Sequence, residues 1–323
     1  MSHEIESMFS LRTTPWHNLG IVVQDAPTSL QALDLAGLNW EVVQKPIYTQ
    51  NAVFNFVHSN VIPQIEEVEI PGFKANVRET DGKVLGVVSD QYKIVQNWEA
   101  FEFTDYLLSN GARYETAGSL AGGKRVWMCA KLDSKYLLGD EHVFYLVFSN
   151  CHDGTGAIKV MITPIRVVCQ NTLNMAIAHS KRSWSTKHQG NMSYKLDEAK
   201  QTLGMAHNYI EKFSENVVIL GQKKVDKVQF ENFLELLLPI SDEVGNVKAT
   251  NIETLREGIR TRYNYSYDLG NIRGTALGVL NAVSDFATHS EPLRKSPNYK
   301  ENLFAKTIDG NPMIDKAYEL IMA

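Results

Sequence analysis

The chain has 323 residues, 44% of them hydrophobic and 21% charged, which supplies a core and excludes a long disordered protein. Its net charge of -5 excludes indiscriminate, histone-like binding of polyanions but leaves room for a local basic surface. Three cysteines, Cys129, Cys151 and Cys169, are too few and too scattered for a disulfide framework.

They read as reduced thiols of a soluble, cytoplasmic protein. The acidic N-terminus has no apolar run, so no signal peptide is expected, and the longest apolar run, Val143 to Phe148, is too short to span a bilayer.

In chain order, Thr28-Ser29 is expected to cap a short helix from Leu30 to Ala36, stopped by Gly37. Glu41 to Tyr48 and Ala52 to His58 read as paired strands turning at Thr49-Gln50-Asn51. Asp81-Gly82 is a strong hairpin signal between Val77-Arg78 and Val84 to Val88. A helix is expected from Trp98 to Ser109, ended by Asn110-Gly111. Arg125 to Leu132 alternates, His142 to Phe148 is almost wholly apolar, and Ala157 to Ile162 alternates again. These three runs predict an antiparallel meander.

Thr163-Pro164 then opens a helix, with Ile165, Val168, Cys169, Thr172 and Ala176 on its apolar stripe. That stripe is expected to pack on the meander. Ser180 to Gly190 reads as a polar, basic loop. Further helices are expected at about Leu196 to Leu220, Val225 to Leu238, Ile252 to Tyr263, Thr275 to His289 and Pro312 to Ile321. The fold class is therefore α+β: an antiparallel β-meander packed by a helix in the N-terminal part and a mainly helical C-terminal part. The division falls at residues 1–190 and 191–323, with the helical region either separate or part of the same core.

Catalytic patterns are weak. Cys151-His152-Asp153 is the densest ligand cluster but lacks the paired spacing of a structural zinc site, and no metal or other cofactor is expected. Gly118 to Arg125 approaches a phosphate loop, but Arg125 stands where Ser or Thr is required and a strand follows. It reads as a hairpin corner presenting Lys124 and Arg125. Cys169 lies on an apolar stripe, where a buried thiol is the ordinary outcome. Catalysis is the less favoured reading.

Charge segregation is the strongest signal. From Gly154 to Leu196 no Asp or Glu occurs, while Lys159, Arg166, Lys181, Arg182, Lys187 and Lys195 do. Trp184, Tyr194, His179 and His188 are interleaved with them. Cations that track phosphates beside flat rings that stack on bases suit a nucleic-acid strand. A solvated loop beside a helix is the plain alternative.

Four motifs carry a resemblance: Thr14-Pro-Trp-His-Asn-Leu-Gly, the run from Tyr114 to Trp127, Asn150-Cys-His-Asp-Gly-Thr-Gly-Ala, and Thr163-Pro-Ile-Arg-Val-Val-Cys-Gln-Asn-Thr-Leu-Asn. Together they resemble the phage/plasmid-like protein family, a domain family of unknown function. The resemblance implies a phage, plasmid or prophage setting and supplies no catalytic residues. The meander followed by a polar helix is also similar in topology to the core of single-strand annealing proteins, a likeness of fold alone.

The expected function is DNA binding, with preference for single strands, in recombination, replication or repair. The expected contacts are Lys124, Arg125, Arg166, Asn171, Asn174, Lys181, Arg182 and Lys187, with Trp184 as a stacking platform. A homo-oligomer is expected, because six cations on one chain are modest. The alternative is a protein-binding factor that acts on a host nucleic-acid or defence complex.

Overall fold

Alternation of apolar and polar residues builds the centre of the molecule. The computed structural model describes residues 5–12, 20–57, 60–107, 113–138, 140–163, 183–203, 206–241, 245–290 and 311–323. The meander forms as β7 (Arg125–Leu137), β8 (Asp140–Cys151) and β9 (Ile158–Thr163), each antiparallel to the next. It is the middle of a larger sheet. β6 (Tyr114–Leu120) pairs with β7, and β1 (Ile5–Leu11) pairs antiparallel with β6. Among the described residues β2 (Ile21–Val23) forms one edge parallel to β1, and β10 (Ser183–Thr186) forms the other against β9. The order is β10-β9-β8-β7-β6-β1-β2.

Facing strand partners share one side of a sheet. Met128 is opposite Phe148, Phe148 opposite Val160, and Val160 opposite Trp184, and all four are buried. Helices cover this side. α2 (Asn97–Leu107) sets Phe103 edge-on to Phe148 at 5.8 Å, and α4 (Ala206–Gln222) sets Phe213 edge-on to Phe144 at 5.2 Å. Each such apolar side chain stabilises the fold by roughly 1.5–3 kcal/mol.

The same apolar cluster continues through α5 (Lys227–Leu237), α6 (Asn246–Tyr265), α7 (Ala276–His289) and α8 (Pro312–Met322), and runs from Phe9 to Ile321. Local chemistry marks the helix starts. At α1 (Ser29–Leu35) the Gln31 side chain accepts from Thr28 N–H at 3.0 Å. Thr275 Oγ1 accepts from Gly278 N–H at 3.2 Å at α7, and Asn311 from Met313 N–H at 3.0 Å at α8. Each cap is worth about 0.5–2 kcal/mol.

A second sheet has the order β3-β4-β5, from β3 (Val42–Val57), β4 (Asn60–Arg78) and β5 (Val84–Ser89). The turn expected at Thr49-Gln50-Asn51 is absent. β3 runs straight through, pairing Thr49 with Val68, Gln50 with Glu67 and Asn51 with Glu66. Polar residues are acceptable there because that part of the strand is solvent-exposed.

Two other expectations need correction. The long helix at Leu196 to Leu220 is divided into α3 (Met192–Leu203) and α4. The loop expected at Ser180 to Gly190 contains β10. The expected helix from Thr163 to Ser180 lies outside the described residues beyond Thr163. The architecture is α+β, with the antiparallel sheet in the N-terminal half and helices in the C-terminal part. No described helix is long and apolar enough to cross a membrane.

Candidate nucleic-acid interface

Arg125 opens β7, Cys151 closes β8 opposite it, Ile158 opens β9, and Thr186 closes β10 opposite Ile158. Lys124, Arg125 and Lys187 therefore lie at one end of the sheet. Three strand spacings separate β7 from β10, about 14 Å. Trp127 is opposite Ser149, Ser149 opposite Lys159, and Lys159 opposite Ser185. By the two-residue period, Arg125 shares that side with Trp127 and Lys159. Lys124 and Lys187 are exposed, and neither ammonium is paired with a carboxylate among the described residues. Arg125 is half-buried, and its Nε donates to Cys151 Sγ at 3.2 Å.

The corner before Arg125 needs glycine. Gly122 and Gly123 have φ of 69° and 88°, the left-handed region. A Cβ on Gly123 would also sit 3.0 Å from the Arg78 guanidinium. That guanidinium is committed elsewhere: it donates to Glu6 at 2.9 Å and to Asp81 at 2.6 Å, and lies 5.3 Å from the Trp40 ring centroid. Hydrogen bonds from Arg78 hold the Glu6 carboxyl below its ordinary range and Asp81 at about 2. Arg78 is a neutralised strut, and phosphate would have to displace two carboxylates to reach it.

Trp184 is not a stacking platform. It faces Val160 in the core, on the helix-covered side of the sheet, and is 8% exposed. Strand alternation turns it inward while Ser183 and Ser185 remain exposed. Among the described residues the exposed ring of the acid-free segment is Tyr194 on α3, at 72%. Arg166, Asn171, Asn174, Lys181 and Arg182 lie outside the described residues, as does Cys169.

A buried polar network holds this end of the sheet, and sequence reasoning missed most of it. His152 N–H donates to Lys124 O at 2.7 Å, fixing the corner against the Cys151-His152-Asp153 turn. Asn97 Nδ2 donates to Leu38 O, so its Oδ1 is the acceptor for His152 Nε2 at 3.0 Å. His188 Nδ1 donates to the Lys93 carbonyl at 2.8 Å. These bonds leave His152 Nδ1 and His188 Nε2 as bare lone pairs, with no partner among the described residues.

Burial disfavours the charged forms, lowering His152 to about 3 and moving His188 down as well. Tyr92 stacks on His188 at 4.4 Å and donates its hydroxyl to Cys151 O at 2.7 Å. Asn76 Nδ2 reaches across from the second sheet to His152 O, also at 2.7 Å. Burial pushes the Cys151 thiol up, which leaves it protonated and a poor nucleophile. Among the described residues no group of three or more His, Cys, Asp or Glu could hold a metal ion. Tyr92, Asn76, Asn97 and His188 are too far apart in sequence to form a motif. Their one signal is an Asn or His set among core-forming residues.

The fold and this corner define an α+β protein with a basic end on an antiparallel sheet. The chain belongs to a family described as a domain of unknown function (DUF932), whose model matches residues 84–307, more than two thirds of the chain. No curated protein and no solved structure matches it.

Proposed function

We propose that the protein binds nucleic acid, single-stranded DNA above all, through the basic end of its large sheet, and that it acts by binding without catalysis. The observation that carries this reading is the convergence of Lys124, Arg125 and Lys187 from two distant stretches of sequence onto one sheet end. Lys187 belongs to an acid-free stretch of sequence, Gly154 to Leu196, that carries five further cations. Exposed Tyr194 offers one ring, and stacking is worth roughly 1–3 kcal/mol per base, so the cations must supply most of the affinity. The motif resemblance supports a setting in phage or plasmid recombination, replication or repair; the sparse cysteines support the cytoplasm, and the modest number of cations on one chain supports a homo-oligomer.

Anisotropy of labelled single-stranded and duplex oligonucleotides at two salt concentrations tests this. The expected result is salt-sensitive binding that favours the single strand. Replacing Lys124, Arg125 and Lys187 by Ala together should lower the salt slope by about 2, at roughly 0.7 per phosphate contact. Absence of binding at low salt overturns the proposal.

A further inference from the structure

The second sheet carries a feature that the nucleic-acid reading does not use. Among the described residues β5 pairs only with Phe73–Val77 of β4, so β3 and β4 continue beyond it as a two-stranded ribbon. Ten register pairs, Tyr48 with Glu69 out to Val57 with Asn60, extend it by roughly 30 Å. An isolated two-stranded ribbon is marginally stable in water, and its free edges are templates for another strand. The part nearer the body exposes large apolar side chains: Tyr48 at 51%, Ile65 at 65% and Val68 at 43%.

Charge selects the partner. From Pro46 to Phe73 the sequence has three glutamates, Glu66, Glu67 and Glu69, and no Lys or Arg. All three are exposed, and none is ion-paired among the described residues. Like charges oppose arm-to-arm pairing. The complement is on the same chain: β10 is the terminal strand in the described order of the large sheet, preceded in sequence by Lys181-Arg182 and followed by Lys187.

We infer that the ribbon is a docking arm whose β4 edge adds to β10 of a second copy, with the glutamates meeting the cations that flank that strand. Each copy then offers one arm and one acceptor edge. Such a head-to-tail contact closes into a ring or continues as a filament. The arm engages the β10 end, where it and nucleic acid would share Lys187, whereas Lys124 lies three strands away beside β7. This inference rests on exposure and charge of the arm, not on the nucleic-acid reading.

The test is sedimentation of nuclease-treated full chain over a concentration series. Wild type should form species of two or more chains. A variant in which Asn-Gly replaces Thr49–Val68, joining the register partners Tyr48 and Glu69 by a two-residue turn, should keep the circular dichroism of the fold and drop to one chain. The triple change Glu66→Lys, Glu67→Lys, Glu69→Lys should also be monomeric. It should regain assembly when mixed with a chain carrying Lys181→Glu, Arg182→Glu and Lys187→Glu. Oligonucleotide anisotropy on the armless variant reads the other proposal separately, since that variant retains every basic residue of the corner. Assembly of the armless variant at wild-type strength overturns the inference, and so does a wild type that stays monomeric throughout, which would leave the arm to a different partner.

Discussion

Along β4, residues Asn76–Arg78 and residues Ile65–Glu69 both pair with β3, yet they meet opposite surroundings. Asn76, Val77 and Arg78 are buried, and their polar groups are spent on His152 O, Glu6 and Asp81. Ile65 to Glu69 are exposed. The inner part is a seat. Even Gly86 on neighbouring β5 belongs to it, since a Cβ there would come within 2.5 Å of Asp153 Cα. The outer part contributes little to the stability of one chain. A strand that is costly to change at one end and cheap at the other is serving two purposes.

Acidification should separate the two ends most strongly. The folded-state value of His152 lies below the unfolded value of about 6.5, so the unfolded chain takes up the proton first. Its contribution to stability is complete above that pH and is lost as pH falls toward about 3. His188 acts in the same direction, and Glu6 and Asp81 add losses only in the lower carboxylate range. Between pH 6.5 and 4.5 His152 alone should cost about 2 kcal/mol. Urea unfolding at both values reads this loss, and His152→Asn should flatten the dependence while an arm variant leaves it unchanged.

Asn76→Leu should cost about 1–3 kcal/mol at pH 7, because it leaves the buried His152 carbonyl without its donor. Thermal or urea unfolding measures it. Ile65→Thr should change monomer stability by no more than about 0.5 kcal/mol, because the side chain is already in water. A large loss there would mean that the arm is buried within its own chain.

The features legible in the sequence were those written locally. Thr28, Thr275 and Pro312 mark helix starts, Asp81-Gly82 marks a hairpin, and alternation along β7 and β9 marks the meander. Thr49-Gln50-Asn51 misled because turn-like composition is equally acceptable in a strand with no buried side. Trp184 misled for a related reason. Four residues are too few to reveal alternation, so a core side chain read as a surface one. Lys124, Arg125 and Lys187 were visible as cations, but their convergence depends on strand register. The network around His152 was out of reach, because its members meet only after the second sheet is seated.

The place of β1 has a consequence for how the molecule is made. Its partner in the large sheet, β6, lies more than a hundred residues later, with Thr116 Oγ1 donating to Phe9 O across that interval at 2.7 Å. During synthesis the first strand must therefore wait while the whole second sheet emerges. Such distant pairing is slow, and an uncovered apolar edge is prone to associate with other chains in the meantime. Early completion of the second sheet would shorten that exposure by leaving β1 only the last loop to close.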